Sequence, residues 1–536
     1  VRNSITQAAK IRHITWYVLA IALFAIALGI RLRLLSMPLE RDEGEYAYAG
    51  QLMLQGIPPY KLAYNMKFPG IYAAYAGIMA IFGQTITAIH LGLLLINAAT
   101  IALVFFLGRR LINSTAAIAA AASYAILSMS PSVLGLAGHA SHFVILPVLG
   151  GALLLLTATD RQSLPRLFGS GFLFGTGLLM KQPGFFFVMS GAIYLIANDL
   201  ARRFGLGKAL LRNFVFAAGA ILPFALTCVI LWQAGVFNKF WFWTVDYARE
   251  YAGSIPLGQA RQIFVQSITE VIGAAWPLWT LAGIGVFTGL FSSQLRRSTL
   301  FLLNLLLFSA LAVSAGFYFR LHYFVLVLPV VSLFIGVAIS RLSDFAARHV
   351  KALEFAPLLL FAAAGGILLF GEREFFFELS PAQACRMIYG PNPFVESVRI
   401  ADYLREHTSP GDTIAVLGSE PQIYFYANRR SATGHIYMYG LMEPQRYAHQ
   451  MQEEMIREIE RARPSYILAV AAHLSWLQRP QSERLLLNWA NEYTAQNYAV
   501  DGFVNITSAG GDYFFGQVPP SGGTPRDYVL IYKRRL

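Results

Sequence analysis

Eleven apolar runs, most of them closed by charged residues or by glycine and proline, fill the first 370 positions. They cover residues 16–35, 88–107, 115–130, 141–157, 168–180, 184–196, 213–233, 268–291, 299–317, 321–339 and 355–370. A helix needs about 20 apolar residues to cross a bilayer. The pattern therefore predicts a polytopic α-helical membrane protein with about 11 to 13 transmembrane helices. The two runs flanking Lys181, in GLLMKQPG, are short and rich in glycine, which predicts a tilted or broken element there.

Between the first two runs the pattern changes. Residues 38–83 read PLERDEGEYAYAGQLMLQGIPPYKLAYNMKFPGIYAAYAGIMAIFG, with carboxylates at 40, 42, 43 and 45 and Lys67 just before an apolar stretch at 71–82. At a dozen residues that stretch is short for a crossing and suits a helix lying at the interface. Counting crossings supports the same choice. If 71–82 stays on the surface, Arg109 and Arg110, Arg161 and Arg166, the 202–212 group, Arg296 and Arg297, and the 341–351 group share one side with the basic N-terminus (Arg2, Lys10, Arg12). That side is then cytoplasmic by the positive-inside rule. The loop 36–87, Lys181, the aromatic stretch 237–251, residues 318–322 and everything after 371 fall on the external, periplasmic-type face.

From Glu372 onward the apolar runs give way to mixed sequence. Helices are expected at 397–407, 420–426 and 446–463, and strands at 413–417 (TIAVL) and 466–470. Helices alternating with strands predict a soluble α/β domain. The expected domains are thus 1–371, membrane, and 372–536, soluble. Gly418-Ser419-Glu420 is too little to mark a nucleotide site, and no glycine-rich phosphate loop is present. The terminal Lys533, Arg534 and Arg535 read as a solvated tail.

Composition sharpens this picture in two respects. The chain has 536 residues, 56% of them hydrophobic, and a mean hydropathy of +0.51, above the usual range for soluble domains. Its net charge of +13 suggests a nucleic-acid partner only until it is located. Residues 372–536 hold 16 basic and 18 acidic side chains, leaving +15 on the membrane part, where it is a topology signal. No nucleic-acid partner is expected. Of the two cysteines, Cys228 lies in an apolar run and Cys385 in the C-terminal region, and neither a disulfide nor a metal motif follows from them.

Carboxylates at the mouth of a bilayer are costly unless solvated, paired or used, so the 40–45 cluster is either a candidate site or an acidic, solvated loop. The run RDEGEYAYAGQLMLQG, then PPY, then KFPG closely resembles the first external loop of GT-C glycosyltransferases. The nearest branch is glycosyltransferase family 39, which holds protein O-mannosyltransferases and lipid A aminoarabinose transferases. The resemblance extends to the number of helices and to Arg320-Leu321-His322-Tyr323 ahead of LVLPV, and covers little of the C-terminal region.

That resemblance implies transfer of a sugar from a polyprenyl-phosphate carrier, undecaprenyl or related, to an external protein, lipid or polysaccharide acceptor. It implies inversion at the anomeric carbon. Asp42 matches the catalytic aspartate, with Glu43 beside it, and Lys67 matches the lysine that grips the lipid phosphate. Asp42 is also suited to cap a helix, and Lys67 to snorkel as an ordinary interfacial lysine. The aminoarabinose branch carries an arginine three positions after its aspartate, where this chain has Glu45. A second phosphate ligand is therefore expected from Arg320, Lys181, His322 or Tyr323. Arg320 equally fits an interfacial anchor, and Lys181 a charge that ends a helix.

Glu45, Tyr60, His139 and His142 are candidate contacts to acceptor or sugar. The two histidines of GHASHF share a helical face, yet no carboxylate set accompanies them, and a structural role is the simpler reading. Some relatives place an acidic metal ligand just before the lysine, and Met66 stands there, so no metal site and no required cofactor is expected, although a divalent metal is compatible with the chemistry. Trp241, Trp243 and Tyr247 read as an interfacial belt or as a surface for sugar or isoprenoid. The chain is expected to act as a monomer. Two other readings are an oligosaccharide transferase using a lipid-diphosphate donor, and a transporter or flippase of lipid-linked sugars, which the weak sign of inverted halves disfavours.

Overall fold

The computed structural model describes residues 2–349, 353–508, 510–517 and 525–535, with side chains from residue 14 onward. Lys351 and the side chains of Arg2, Lys10 and Arg12 lie outside the described residues. The chain forms two compact units. One comprises Val1–Leu34, His90–Val229 and Ala252–Leu379, the other Leu35–Ile89, Ile230–Tyr251 and Ser380–Leu536. The acidic loop and the aromatic stretch thus belong with the C-terminal region rather than with the helices that flank them in sequence.

The first unit is helical. Eight described helical segments, some of them interrupted, are long and apolar enough to cross a membrane: Ile14–Arg33, Ile86–Leu111, Ala140–Arg161, Gln182–Ala201, Leu206–Gln233, Leu257–Leu290, Arg296–Phe317 and Leu328–His349. The protein is an integral membrane protein. Ser114–Leu127 and Ala356–Gly371 are apolar but shorter, and Leu164–Met180 has 17 residues. Leu328–His349 is the most enclosed span, with 72% of its apolar window buried. It packs against Ser114–Leu127 and Trp276–Leu290, and the run of alanines in Ser114–Leu127 is what permits a close approach without a hydrophobic driving force in lipid.

Several boundaries differ from expectation for local reasons. Residues 268–291 are the end of one helix (Leu257–Ile272), a tight turn (Gly273–Ala275) and a second helix (Trp276–Leu290). Residues 321–326 form 3-10 turns, and the α-helix begins at Leu328, where Pro329 takes an early position that needs no N–H donor. The break at Lys181 is present: the helix ends at Met180, Lys181 is extended, and Gln182–Gly184 turns into the next helix, Phe185–Ala201.

The second unit contains a six-stranded sheet ordered β2-β1-β3-β6-β4-β5. Its strands are β1 Thr413–Leu417, β2 Arg430–Ser431, β3 Tyr466–Ala471, β4 Tyr498–Thr507, β5 Gly510–Phe515 and β6 Tyr528–Arg534. β1 pairs in parallel with β2 and β3, whereas β3-β6, β6-β4 and β4-β5 are antiparallel. Helices Phe394–Glu406, Gln422–Ala427 and Ala448–Ala462 alternate with the parallel strands, as expected. Lys533 and Arg534 are not a solvated tail. They end β6, with Lys533 opposite Tyr466 of β3 and Ala499 of β4.

The aromatic stretch is core rather than belt. Trp243 and Tyr247 are buried with Tyr64, Met438, Leu441, Met442, Met451 and Met455, while Trp241 is exposed. The fifteen-residue helix Ala448–Ala462 offers Met451, Met455 and Ile459 to this core at helical spacing and turns its charged face outward.

Candidate active site

The helix Arg41–Leu54 starts with a capping box. Glu40 is the N-cap: its carboxylate accepts from the Glu43 N–H at 2.9 Å, and the Glu43 carboxylate accepts from the Glu40 N–H at 3.4 Å. Asp42 is therefore not the cap, because Glu40 and Glu43 satisfy the first turn. Glu43 is fully buried in this cap. Gly44 lets the helix approach closely: a Cβ there would stand 2.7 Å from Cβ of Gln422, so the helices Arg41–Leu54 and Gln422–Ala427 are nearly in backbone contact.

Asp42 and Glu45, three residues apart, share a face and meet Lys67. The Lys67 ammonium donates to Oδ1 of Asp42 at 2.7 Å and to Oε2 of Glu45 at 2.8 Å, with the ring centroid of Tyr46 4.7 Å away and that of Tyr437 5.6 Å away. Glu45 also accepts from Asn65 Nδ2 at 2.7 Å and from the Tyr72 hydroxyl at 2.5 Å. Burial would drive the Lys67 ammonium towards neutrality, but Asp42 and Glu45 outweigh it and hold its pKa well above the usual range. For Glu45 burial wins and its pKa is raised, although Lys67 opposes that shift.

Tyr60 serves the same loop. Its backbone is left-handed, at φ 64°, its side chain is buried, and its hydroxyl donates to the Lys67 carbonyl at 2.6 Å. A non-glycine residue held in that region costs of order 1 kcal/mol or more, so the surrounding packing fixes it, and with it the lysine backbone. Tyr64 pins the loop again: its N–H donates to Gly434 O at 2.7 Å, and a Cβ on Gly434 would lie 2.2 Å from the Tyr64 ring. Met66 packs against the aromatic and methionine core. A thioether there gives no hard-cation ligand.

Arg41 was not foreseen as a site residue. A cation in the first turn opposes the helix dipole, and that misfit is the one signal the sequence offers. In the structure its Nε donates to Ser419 O at 2.6 Å, Nη1 to the Tyr439 hydroxyl at 2.6 Å, and Nη2 to Asn392 Oδ1 at 2.9 Å and Glu420 Oε1 at 3.2 Å. The rings of Phe394 and Tyr439 each lie 5.2 Å from the guanidinium carbon. Tyr437, also unforeseen, donates to Oδ1 of Asp42 at 3.2 Å. No local motif flags it.

The other expected site residues lie in the helical unit. His139 and His322 stack face to face, with centroids 3.9 Å apart and planes 9° apart, and His322 meets Tyr323 edge-on at 4.8 Å. The Lys181 ammonium sits 3.7 Å above the Tyr323 ring and 3.4 Å from Ser141 Oγ. His142 is buried on the same helix as Ser141. Arg320 is exposed, its guanidinium 5.4 Å from the Tyr318 ring, and Tyr318 shares a hydrogen bond with Ser254. Thus Lys181, Tyr323, His322 and His139 form one chain of contacts, while Arg320 turns to Tyr318.

Comparison with known proteins agrees with this architecture. A family model described as dolichyl-phosphate-mannose-protein mannosyltransferase matches residues 67–232. The crystal structure of ArnT from Cupriavidus metallidurans bound to undecaprenyl phosphate is similar over 96% of this chain and 98% of that one, with a TM-score of 0.61 at 15% identity. The oligosaccharyltransferase AglB from Archaeoglobus fulgidus, in complex with an inhibitory peptide and a dolichol-phosphate, is similar over 94% of this chain and 75% of that one, with a TM-score of 0.54 at 14% identity. No curated protein matches in sequence. The chain has the GT-C fold, and it resembles the family 39 type of GT-C glycosyltransferase.

Proposed function

We propose that this protein is an integral-membrane glycosyltransferase that moves a sugar from a polyprenyl-phosphate carrier to a hydroxyl acceptor. The observation that carries the reading is the 2.7 Å contact between Lys67 and Asp42, an acid and a base 25 residues apart in sequence that meet in a chain of GT-C fold. ArnT, with its bound undecaprenyl phosphate, and AglB, with its dolichol-phosphate, supply the class of carrier.

In the proposed step the acceptor oxygen attacks the anomeric carbon while its proton passes to the Asp42 carboxylate. The bond from that carbon to the phosphate oxygen breaks, and its electron pair leaves with the polyprenyl phosphate, so the configuration inverts. A positioned carboxylate base contributes about 10²–10⁴-fold. Lys67 offsets the charge gathering on the leaving phosphate. Glu43 completes the capping box with Glu40. Glu45 and Tyr60 set the lysine rather than touch a sugar. Within the helical unit, Lys181, Arg320, His322 and Tyr323 are the groups suited to an anionic part of a donor, and His139 and His142 the less charged lining. No step is assigned to a metal.

We place the N-terminus in the cytoplasm and residues 36–87 and 372–536 outside. Cysteine labelling from outside is expected to reach positions near Tyr60 and in the C-terminal region but not near Arg297. The reaction itself is tested with purified protein in liposomes, radiolabelled polyprenyl-phosphate sugars and hydroxyl acceptors. Wild type is expected to transfer the label, and Asp42→Asn to be slower by about 10²–10⁴-fold while it still folds. Full activity in folded Asp42→Asn would end the case for this base.

A further inference from the structure

In an open sheet with parallel strands, ligands sit beyond the carboxyl ends of the strands where the chain order reverses. Here that place lies between β1 and β3, because β2 and β3 flank β1 on opposite sides. The loops leaving the two strands carry Gly418, Ser419 and Glu420 on one side and Ser475 on the other. Ser475 Oγ donates to Glu420 Oε2 at 2.7 Å and accepts from the Ser419 N–H at 2.8 Å. The crevice is filled by the chain itself: the occupant is Arg41, held there by Ser419, Glu420, Asn392 and Tyr439.

Arg41 immediately precedes Asp42. From Arg41 a closed path of contacts returns to Asp42: guanidinium to the Tyr439 hydroxyl at 2.6 Å, Tyr439 ring edge-on to the Tyr437 ring at 4.9 Å and 88°, and Tyr437 hydroxyl to Asp42 Oδ1 at 3.2 Å. The Tyr439 hydroxyl in turn donates to Leu474 O at 2.7 Å, which ties the path to the loop after β3.

We propose that the C-terminal sheet is a positioning element for Asp42, its crevice serving as a socket for Arg41 and Tyr437 serving as a hydrogen-bond donor that orients the Asp42 carboxylate and favours its ionised form. The proposal deepens the reading of Asp42 as base and rests on it. Burial, with Asp42 beside it, keeps the Tyr437 phenol well above its usual pKa, so it stays protonated and donates. A hydrogen bond donated to a carboxylate favours its ionised form, and removing one raises the carboxylate pKa.

The test measures Asp42 directly. Carbodiimide labels a carboxyl group in its protonated form, so labelling of Asp42 in the full-length protein, followed by mass spectrometry across a pH series, gives its midpoint whether or not a substrate is known. Tyr437→Phe keeps the ring against Tyr439 and is expected to raise the midpoint by roughly one pH unit. A 3-fluorotyrosine at position 437, a stronger donor, is expected to lower it. Coincident midpoints in all three proteins would overturn the proposal. If wild type transfers sugar, the acid limb of its rate profile is expected to move upward by the same amount in Tyr437→Phe, with kcat reduced about 10-fold and KM for the donor little changed. A wild type that transfers nothing argues against the glycosyltransferase reading, and the labelling midpoints still decide the role of Tyr437.

Discussion

Two groups of the residues that stand out in the sequence are built in opposite ways. Around Lys67 in the second unit, a partly buried ammonium is held by two carboxylates, and those carboxylates by Asn65, Tyr72 and Tyr437. Around Lys181 in the helical unit, the ammonium lies over a tyrosine ring and the two imidazoles lie face to face. Charge pairing organises the first group and ring faces the second. Deleting one member of a buried charge pair strands the other, whereas taking away one side of a ring stack bares only apolar surface.

The largest expected effect follows from that difference. Lys67→Met leaves Glu45 and Asp42 without their shared cation, and breaking a buried pair in this way costs about 3–5 kcal/mol. Lys181→Met keeps an apolar chain against Tyr323 and gives up a cation–π interaction of about 0.5–2 kcal/mol. Thermal unfolding of both variants in one detergent checks this. Equal destabilisation would erase the contrast between the two groups.

Glu45→Gln sharpens the charge side. The folded pKa of Glu45 is raised, so its contribution to stability is full below about 4.5, the ordinary carboxylate value, and is lost as pH rises through the folded value. The amide does not titrate, and its oxygen still accepts from Lys67. The stability difference between the two proteins is therefore expected to move in favour of Glu45→Gln as pH climbs above about 4.5, by at most about 1.4 kcal/mol per pH unit. Denaturant titrations at several pH values check it, and a difference independent of pH would mean that Glu45 titrates alike in both states.

What could be read from the chain divides along the same line. The membrane helices were legible because an unbroken apolar run has one stable destination. The break at Lys181 was legible because lysine, proline and glycine stand together there. Asp42 and Lys67 were recognisable as a motif, but their meeting depends on the turn at Tyr60 and on Gly434 receiving Tyr64, which no spacing reveals. Trp243 and Tyr247 passed for a belt because aromatic residues beside apolar runs look alike whether they face lipid or a protein core. β4, β5 and β6 were missed because glycine and aspartate interrupt their alternation (DGFVN, GGDYFF) and because β6 looked like a basic tail. Arg41 went unread for want of its partners, which lie more than 350 residues away.

On the ring side, His322→Phe keeps a face for His139 and is expected to change the melting temperature little. His322→Ala removes the stacked partner and is expected to cost about 0.5–1.5 kcal/mol beyond the burial it gives up. Near-identical melting of both variants would show that the stack contributes nothing of its own. If His322 also contacts an anionic donor, Phe lowers donor affinity without lowering stability, which separates the two roles.

The smallest effect sets a more exposed charge pair of the second unit against Lys67. Glu454 receives Lys239 and His435, the latter at 3.1 Å. Burial alone would raise its pKa, but the two donors outweigh burial and hold it at about 2. The folded pKa is depressed, so this pair stabilises above about 4.5, the ordinary carboxylate value, and the contribution is lost as pH falls through about 2. Glu454 is about one third exposed and Lys239 slightly more, so solvent screening limits the effect to about 1 kcal/mol or less. Glu454→Gln is expected to lose that amount at neutral pH and progressively less as pH falls from about 4.5 through about 2. Salt should shrink the neutral-pH effect, whereas the larger destabilisation by Lys67→Met should resist salt because Glu45 is buried and Asp42 is only 15% exposed. Equal salt sensitivity at the two sites would make Lys67 an ordinary surface ion pair, and the distinction between an enclosed site and its solvated surroundings would fall with it.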